Sequence, residues 1–129
     1  MIIDTSAIMA ILLGEDEALG FATAMADADQ CFVSAGSWIE ISAVMTRRKA
    51  DLQVALNELT QKTALQILPV DINQARIGHD AYRQYGRGTG HPANLNFGDC
   101  FAYALSRATG DRLLFKGDDF IHTDVAAAA

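Results

Sequence analysis

Apolar residues in this chain fall into short runs separated by longer stretches in which they recur every three or four positions. Strand-like runs alternating with helical periodicity are the pattern of an α/β domain around a mostly parallel sheet. Residues 1–4, Met1-Ile2-Ile3-Asp4, read as the first strand. Asp4-Thr5-Ser6 supplies N-cap chemistry for a short helix through Ile8, Ile11 and Leu12 that stops at Gly14, and residues 15–27 read as a second helix. Residues 30–34 form the next strand. Ser37 opens a helix carrying Trp38, Ile41, Val44 and Met45 at helical spacing, and Asp51 opens another through Val54, Leu56 and Leu59. Residues 65–70 are a third strand despite Pro69, and Asp71 caps a helix that reaches Tyr85, which makes its carboxylate structural. The loop 86–92 leads to a helix over 96–109 and a last strand at Leu113-Leu114-Phe115. No linker or internal repeat interrupts the pattern, so residues 1–129 read as a single domain. Ala126 to Ala129 are expected to fray, since they offer only methyl groups for packing.

Composition narrows the class. A chain of 129 residues that is 50% hydrophobic can bury one core. No apolar stretch approaches the roughly 20 residues of a membrane span, and the first residues lack a basic leader, which together point to a cytoplasmic protein. Cys31 and Cys100 sit in apolar surroundings without a CxxC pair and read as reduced core residues. Lys plus Arg number 10 against 16 Asp plus Glu, a net charge of −6, which argues against broad electrostatic capture of nucleic acid. Any such contact must be local. Arg47-Arg48-Lys49, Arg83 with Arg87, and Arg107 with Arg112 and Lys116 are the candidates, and each also reads as a solvated helix face.

Four acidic positions carry the candidate chemistry: Asp4 after Ile2-Ile3, Glu40 within Trp38-Ile39-Glu40-Ile41, Asp99 in Asn96-Phe97-Gly98-Asp99-Cys100, and Asp118-Asp119 before Phe120. The surrounding residues predict burial, no matching set of Lys or Arg accompanies them, and unpaired buried charge is costly. A divalent cation is one cause that accounts for all four, and oxygen donors without Cys or His suit Mg²⁺ or Mn²⁺ and phosphate-ester chemistry. Each position also has an ordinary explanation. Asp4 fits a helix cap, Asn96 with Asp99 fits a capping pair, Gly117-Asp118-Asp119 fits a tight turn, and Glu40 fits a helix surface. In an open parallel sheet the strand ends and helix starts that bear these acids share one edge, which is where they would meet.

The segments Ile2-Ile3-Asp4-Thr5-Ser6-Ala7, Glu40 in a helix, Leu95-Asn96-Phe97-Gly98-Asp99-Cys100-Phe101-Ala102-Tyr103-Ala104, and Leu113-Leu114-Phe115-Lys116-Gly117-Asp118-Asp119-Phe120 with Thr123-Asp124 resemble the PIN-domain ribonucleases, closely so the VapC toxins of bacterial toxin–antitoxin pairs. The resemblance implies a three-layer α/β/α sandwich around a mostly parallel twisted sheet and a Mg²⁺- or Mn²⁺-dependent endoribonuclease site. It maps Asp4, Glu40 and Asp99 onto core acidic positions and favours Asp119 over Asp118 as the fourth. Thr5 or Ser6 would be polar helpers near the metal, and Asn96 would orient Asp99 or touch substrate. A small VapB-like antitoxin and a homodimer are the implied protein partners. Arg83 and Arg87 are the candidate contacts to RNA beside the acids.

Two other classes compete. A phosphoacceptor receiver domain also gathers acids around Mg²⁺ at a parallel sheet's edge, but it needs paired acids after its first strand, where this chain has Asp4-Thr5-Ser6. A noncatalytic interaction module would use the acids only as caps. The glycine-spaced 86–90 segment lacks the lysine of a phosphate-binding loop. Phe21, Met25, Trp38 and Met45 are candidates for a protein-binding face, although ordinary core packing explains them better.

Overall fold

In this computed structural model, which describes residues 1–128, four strands build one sheet. They are β1 (Ile2–Ile3), β2 (Phe32–Ser34), β3 (Gln66–Leu68) and β4 (Leu113–Leu114), in the order β3-β2-β1-β4, and every pairing is parallel. Six helices connect them: α1 (Thr5–Leu12), α2 (Ala18–Asp27), α3 (Ala35–Arg47), α4 (Gln53–Thr63), α5 (Ile72–Tyr85) and α6 (Asp99–Thr109). A 3-10 turn follows at Asp119–His122.

Strand residues alternate between two cores, as side chains on a pleated strand must. Ile3, Val33 and Leu114 point to a core shared with Ala7 and Ile8 of α1, Phe21 and Met25 of α2, Ile41 and Met45 of α3 and Leu56 of α4. Ile2 and Leu113 point the other way, to Ala81 and Tyr85 of α5 and Ala102, Tyr103 and Leu105 of α6. The result is the expected α/β/α sandwich. Burial of Phe21, Met25 and Met45 settles those residues as core.

The strand order dictates where the chain leaves a crevice. From β1 the chain steps outward through β2 to β3, then crosses back to place β4 on the free side of β1. The carboxyl ends of β1 and β4 thus flank the switch point of a parallel sheet, where ligands of open α/β folds bind. Two glycines let helices close on that edge. A Cβ at Gly36 in α3 would overlap the Phe101 ring of α6, and one at Gly98 would overlap the Glu40 carboxylate.

Several boundaries differ from expectation. Ser34, not Ser37, caps α3, its hydroxyl accepting the Gly36 N–H at 3.2 Å, because β2 runs straight into the helix without a loop. The helix expected from Asn96 begins at Asp99, since residues 96–98 form a turn held by the reciprocal side-chain hydrogen bonds of Asn96 and Asp99. Residues 126–128, expected to fray, carry backbone hydrogen bonds. Leu113 N–H donates to Ala126 O and Ala128 N–H to Leu113 O, both at 2.9 Å, so the segment pairs in parallel beside β4. Backbone hydrogen bonding needs no side chain, which is why an alanine run can hold an edge. Ala129 lies outside the described residues. Asp71 caps α5 by accepting the Gln74 N–H at 2.8 Å.

Candidate active site

Asp4 follows β1 directly, and its carboxylate is held from two sides. Oδ2 accepts the Ser6 N–H at 3.0 Å and the Ser6 hydroxyl at 2.6 Å, and that hydroxyl accepts the Lys116 N–H at 3.0 Å from the chain beyond β4. Oδ1 is buried and, among the described residues, has no hydrogen-bond partner. An unpaired buried carboxylate oxygen is costly. Asp4 is 3% and Asp99 8% exposed. In Asp99, Oδ2 accepts the Asn96 N–H at 3.0 Å while Asn96 Oδ1 accepts the Asp99 N–H at 2.8 Å. The capping readings of Asp4 and Asp99 are therefore correct as far as they go. Each cap occupies one carboxylate oxygen, and the other oxygen of Asp4, itself buried, is left without a donor among the described residues.

That cleft, of about 420 Å³, is lined by Asp4, Thr5, Ser6, Glu40, Asn96, Asp99 and Asp119, with Glu15, Arg47, Arg48 and Lys116 also on its walls. All four expected acidic positions reach it, the fourth through Asp119; Asp118 is not on its wall. Burial differs from expectation at the fourth position. Asp118 and Asp119 are exposed, because Gly117, at φ 99°, turns the chain outward after β4. Glu40 is half-buried against Gly98.

The acids feel one another. Burial pushes the Asp4 carboxyl up to about 6, despite the Ser6 hydrogen bonds, and Glu40 adds to the rise. Burial, then the Asp4 charge, pushes Asp99 up to about 8, and Asp119 raises it further by charge and by accepting a hydrogen bond from the protonated form. Like charges in a dry pocket resist ionisation. Among the described residues no three His, Cys, Asp or Glu side chains already stand in a metal-holding arrangement. Asp4 and Asp99 share the cleft, each held by its own donor, Ser6 or Asn96. The donor set nonetheless fits a hard cation: it is all oxygen, it is anionic, and Asp4 Oδ1 lacks any other partner.

The remaining residues singled out from sequence sort differently. The Ser6 hydroxyl orients Asp4, whereas that of Thr5 donates to Ser37 O at 3.1 Å and ties α1 to α3. Asn96 orients Asp99. Arg83 lines an apolar groove between α5 and α6, and neither it nor Arg87 is on the wall of the acidic cleft. The cations that line it are Arg47, Arg48 and Lys116. Their signal was in the spacing: Glu40, Val44, Arg47 and Arg48 lie four, seven and eight positions apart, one helical face. None of the three histidines lines the cleft; His79 lies 3.6 Å from Asp80, and His91 Nδ1 accepts the Ala93 N–H. Asp124, part of the sequence resemblance, accepts the Tyr103 hydroxyl and fastens the terminal segment to α6. Both cysteines are buried and free, and burial pushes the Cys100 thiol up to about 11.

Gly98 offers a local test of this geometry. Its φ of −63° suits alanine, so Gly98→Ala should leave the melting temperature nearly unchanged or slightly raised. The new Cβ forces the Glu40 carboxylate away, and misplacement by about 1 Å costs on the order of 10²-fold in rate. Cleavage of RNA, the activity the sequence resemblance implies, and thermal melting read the two effects. Unimpaired cleavage would remove Glu40 from the site.

Comparison with known proteins agrees with the fold. A PIN domain family model matches residues 1–126. The ribonuclease VapC28 of Mycobacterium tuberculosis is 47% identical over 129 residues, covering 99% of this chain and 97% of its own. The ribonuclease VapC42 of the same organism is 45% identical, covering 99% and 98%. Among solved structures, M. tuberculosis VapC20, described as a sarcin-ricin loop cleaving toxin, superposes with a TM-score of 0.73 at 19% identity over 97% of this chain and 95% of its own. A toxin–antitoxin complex from Klebsiella pneumoniae superposes at 0.65, with 16% identity, over 92% and 88%. The receiver alternative fails on topology, because that fold sets its third strand beside the first, whereas here β3 pairs β2. With a family model spanning almost its whole length and near-full-length relatives at this identity, the chain belongs to the PIN-domain family, among the VapC ribonucleases.

Proposed function

We propose that this protein is a Mg²⁺- or Mn²⁺-dependent endoribonuclease toxin, acting in the cytoplasm and held inactive by a small VapB-like antitoxin. The observation that carries the reading is that Asp4, with a buried Oδ1 that lacks a donor, lines one cleft with Glu40, Asp99 and Asp119. Names of near-full-length relatives support the ribonuclease activity. Among the described residues no helix is long and apolar enough to cross a membrane.

Asp4, Asp99 and Asp119 would hold the cation, with Glu40 contributing directly or through water. A bound Mg²⁺ or Mn²⁺ supplies Lewis-acid polarisation of a phosphate oxygen and a lowered pKa for attacking water. The chain's own part is positional. The Ser6 hydroxyl, itself accepting the Lys116 N–H, fixes Asp4 Oδ2 and leaves Oδ1 without a donor. Asn96 fixes Asp99, and Gly98 leaves room for Glu40. The raised pKa of Asp99, about 8, keeps a proton there at neutral pH until a cation displaces it, while Asp4, near 6, is already mostly ionised. The apolar groove between α5 and α6, of about 480 Å³ and lined by Tyr82, Phe97 and Phe101, supports a homodimer contact.

Purified protein incubated with total RNA and Mg²⁺ should yield fragments with a small set of recurrent 5′ ends. Intact RNA after prolonged incubation with antitoxin-free protein would overturn the reading.

A further inference from the structure

We infer that Arg47 and Arg48 form a phosphate-gripping rim of the acidic cleft, holding the RNA backbone beside the bond to be cut; this rests on the ribonuclease reading above. A chain of net charge −6 with five carboxylates on one cleft repels RNA, so local cations must draw the strand in. Three cations line that cleft: Arg47, Arg48 and Lys116. Lys116 is already engaged, its Nζ lying 3.0 Å from Glu15 and 2.9 Å from Glu17. Among the described residues neither arginine has a carboxylate within 4.0 Å. Both are exposed, on an acidic cleft, and paired to none of its acids.

Their distance from the acids suits the role. Their backbone stands about 10 to 12 Å along α3 from Glu40, on the wall of the same cleft, and among the described residues they form no ion pair with its carboxylates. Guanidinium groups bind phosphate oxygens in bidentate fashion. The competing role is to offset the negative end of the α3 dipole, since Arg47 lies in its last turn. That role concerns helix stability and leaves RNA untouched.

The two separate in a binding experiment on the full chain carrying Asp99→Asn, which blocks cutting. With a labelled single-stranded RNA, Arg47→Ala and Arg48→Ala together should lower affinity by on the order of tenfold per residue and reduce the slope of log affinity against log salt by about 1.4. Arg47→Lys with Arg48→Lys should recover the slope and only part of the affinity. In the otherwise unaltered chain the double alanine variant should raise KM and spare kcat. Unchanged affinity and slope with a lowered melting temperature would assign the arginines to the helix end alone and overturn the inference while the ribonuclease reading stands. Failure of the unsubstituted chain to cut any RNA would take that reading down, and this inference with it.

Discussion

Asp99→Asn should abolish RNA cleavage while making the metal-free protein more stable at neutral pH. Loss of one anionic donor removes several kcal/mol of charge stabilisation; at about 1.4 kcal/mol per tenfold, the rate falls on the order of 10³-fold. The stability effect follows from linkage. Burial and the Asp4 charge raise Asp99 from 3.8 to about 8 in the folded chain, so the folded state holds that proton more tightly than the unfolded one. Its contribution is complete below the unfolded value near 3.8 and is lost as pH rises through about 8. Asparagine keeps the oxygen that accepts the Asn96 N–H and carries no charge. Melting curves of variant and parent should therefore coincide near pH 4 and separate by several degrees at pH 8, the variant higher. A variant that cuts RNA normally, or melts lower than the parent at pH 8, contradicts the placement of Asp99 among repelling carboxylates.

Chelation should have the second large effect. EDTA is expected to stop cleavage and added Mn²⁺ or Mg²⁺ to restore it, with a companion change in stability that does not depend on turnover. A cation that binds only the folded chain stabilises it by about 2.7 kcal/mol at a hundred times its dissociation constant. Protons compete for the same oxygens, since Asp4 must ionise near 6 and Asp99 near 8. The rise in melting temperature on adding Mn²⁺ should thus be greater at pH 8.5 than at pH 6. Full activity in EDTA, or a metal-induced rise unaffected by pH, would exclude cation binding by these carboxylates.

Much of this site was legible because its residues sit at element junctions. An acid directly after an apolar strand, as in Ile3-Asp4, has to lie at the sheet's carboxyl edge, and Asn96 with Asp99 announces a helix start whatever surrounds it. Glu40 was legible from its apolar neighbours, although helix geometry left it half-buried instead of enclosed. Other features had no local signal. That Gly36 and Gly98 are contact points follows from which helix lies opposite, as Phe101 and Glu40 do, and no sequence window contains both partners. The 126–128 segment, a run of alanines, pairs with Leu113 because an edge was open there. The Arg47 and Arg48 spacing from Glu40 was visible, yet nothing in the sequence distinguished that helix face from a solvated one.

Amino-acid order by itself determined the elements, the two-sided apolar alternation of the strands, and the four acidic positions, since each depends on neighbours within a few residues of the chain. Only the tertiary structure decided that Arg83 faces a different groove and that Asp4 keeps one carboxylate oxygen without a donor, while its placement of Asp119, and not Asp118, on the cleft wall agrees with the preference drawn from the sequence resemblance. The reason is range: capping and periodicity act over one or two turns, whereas repulsion between Asp4 and Asp99 exists only once β1 and α6 have been packed side by side.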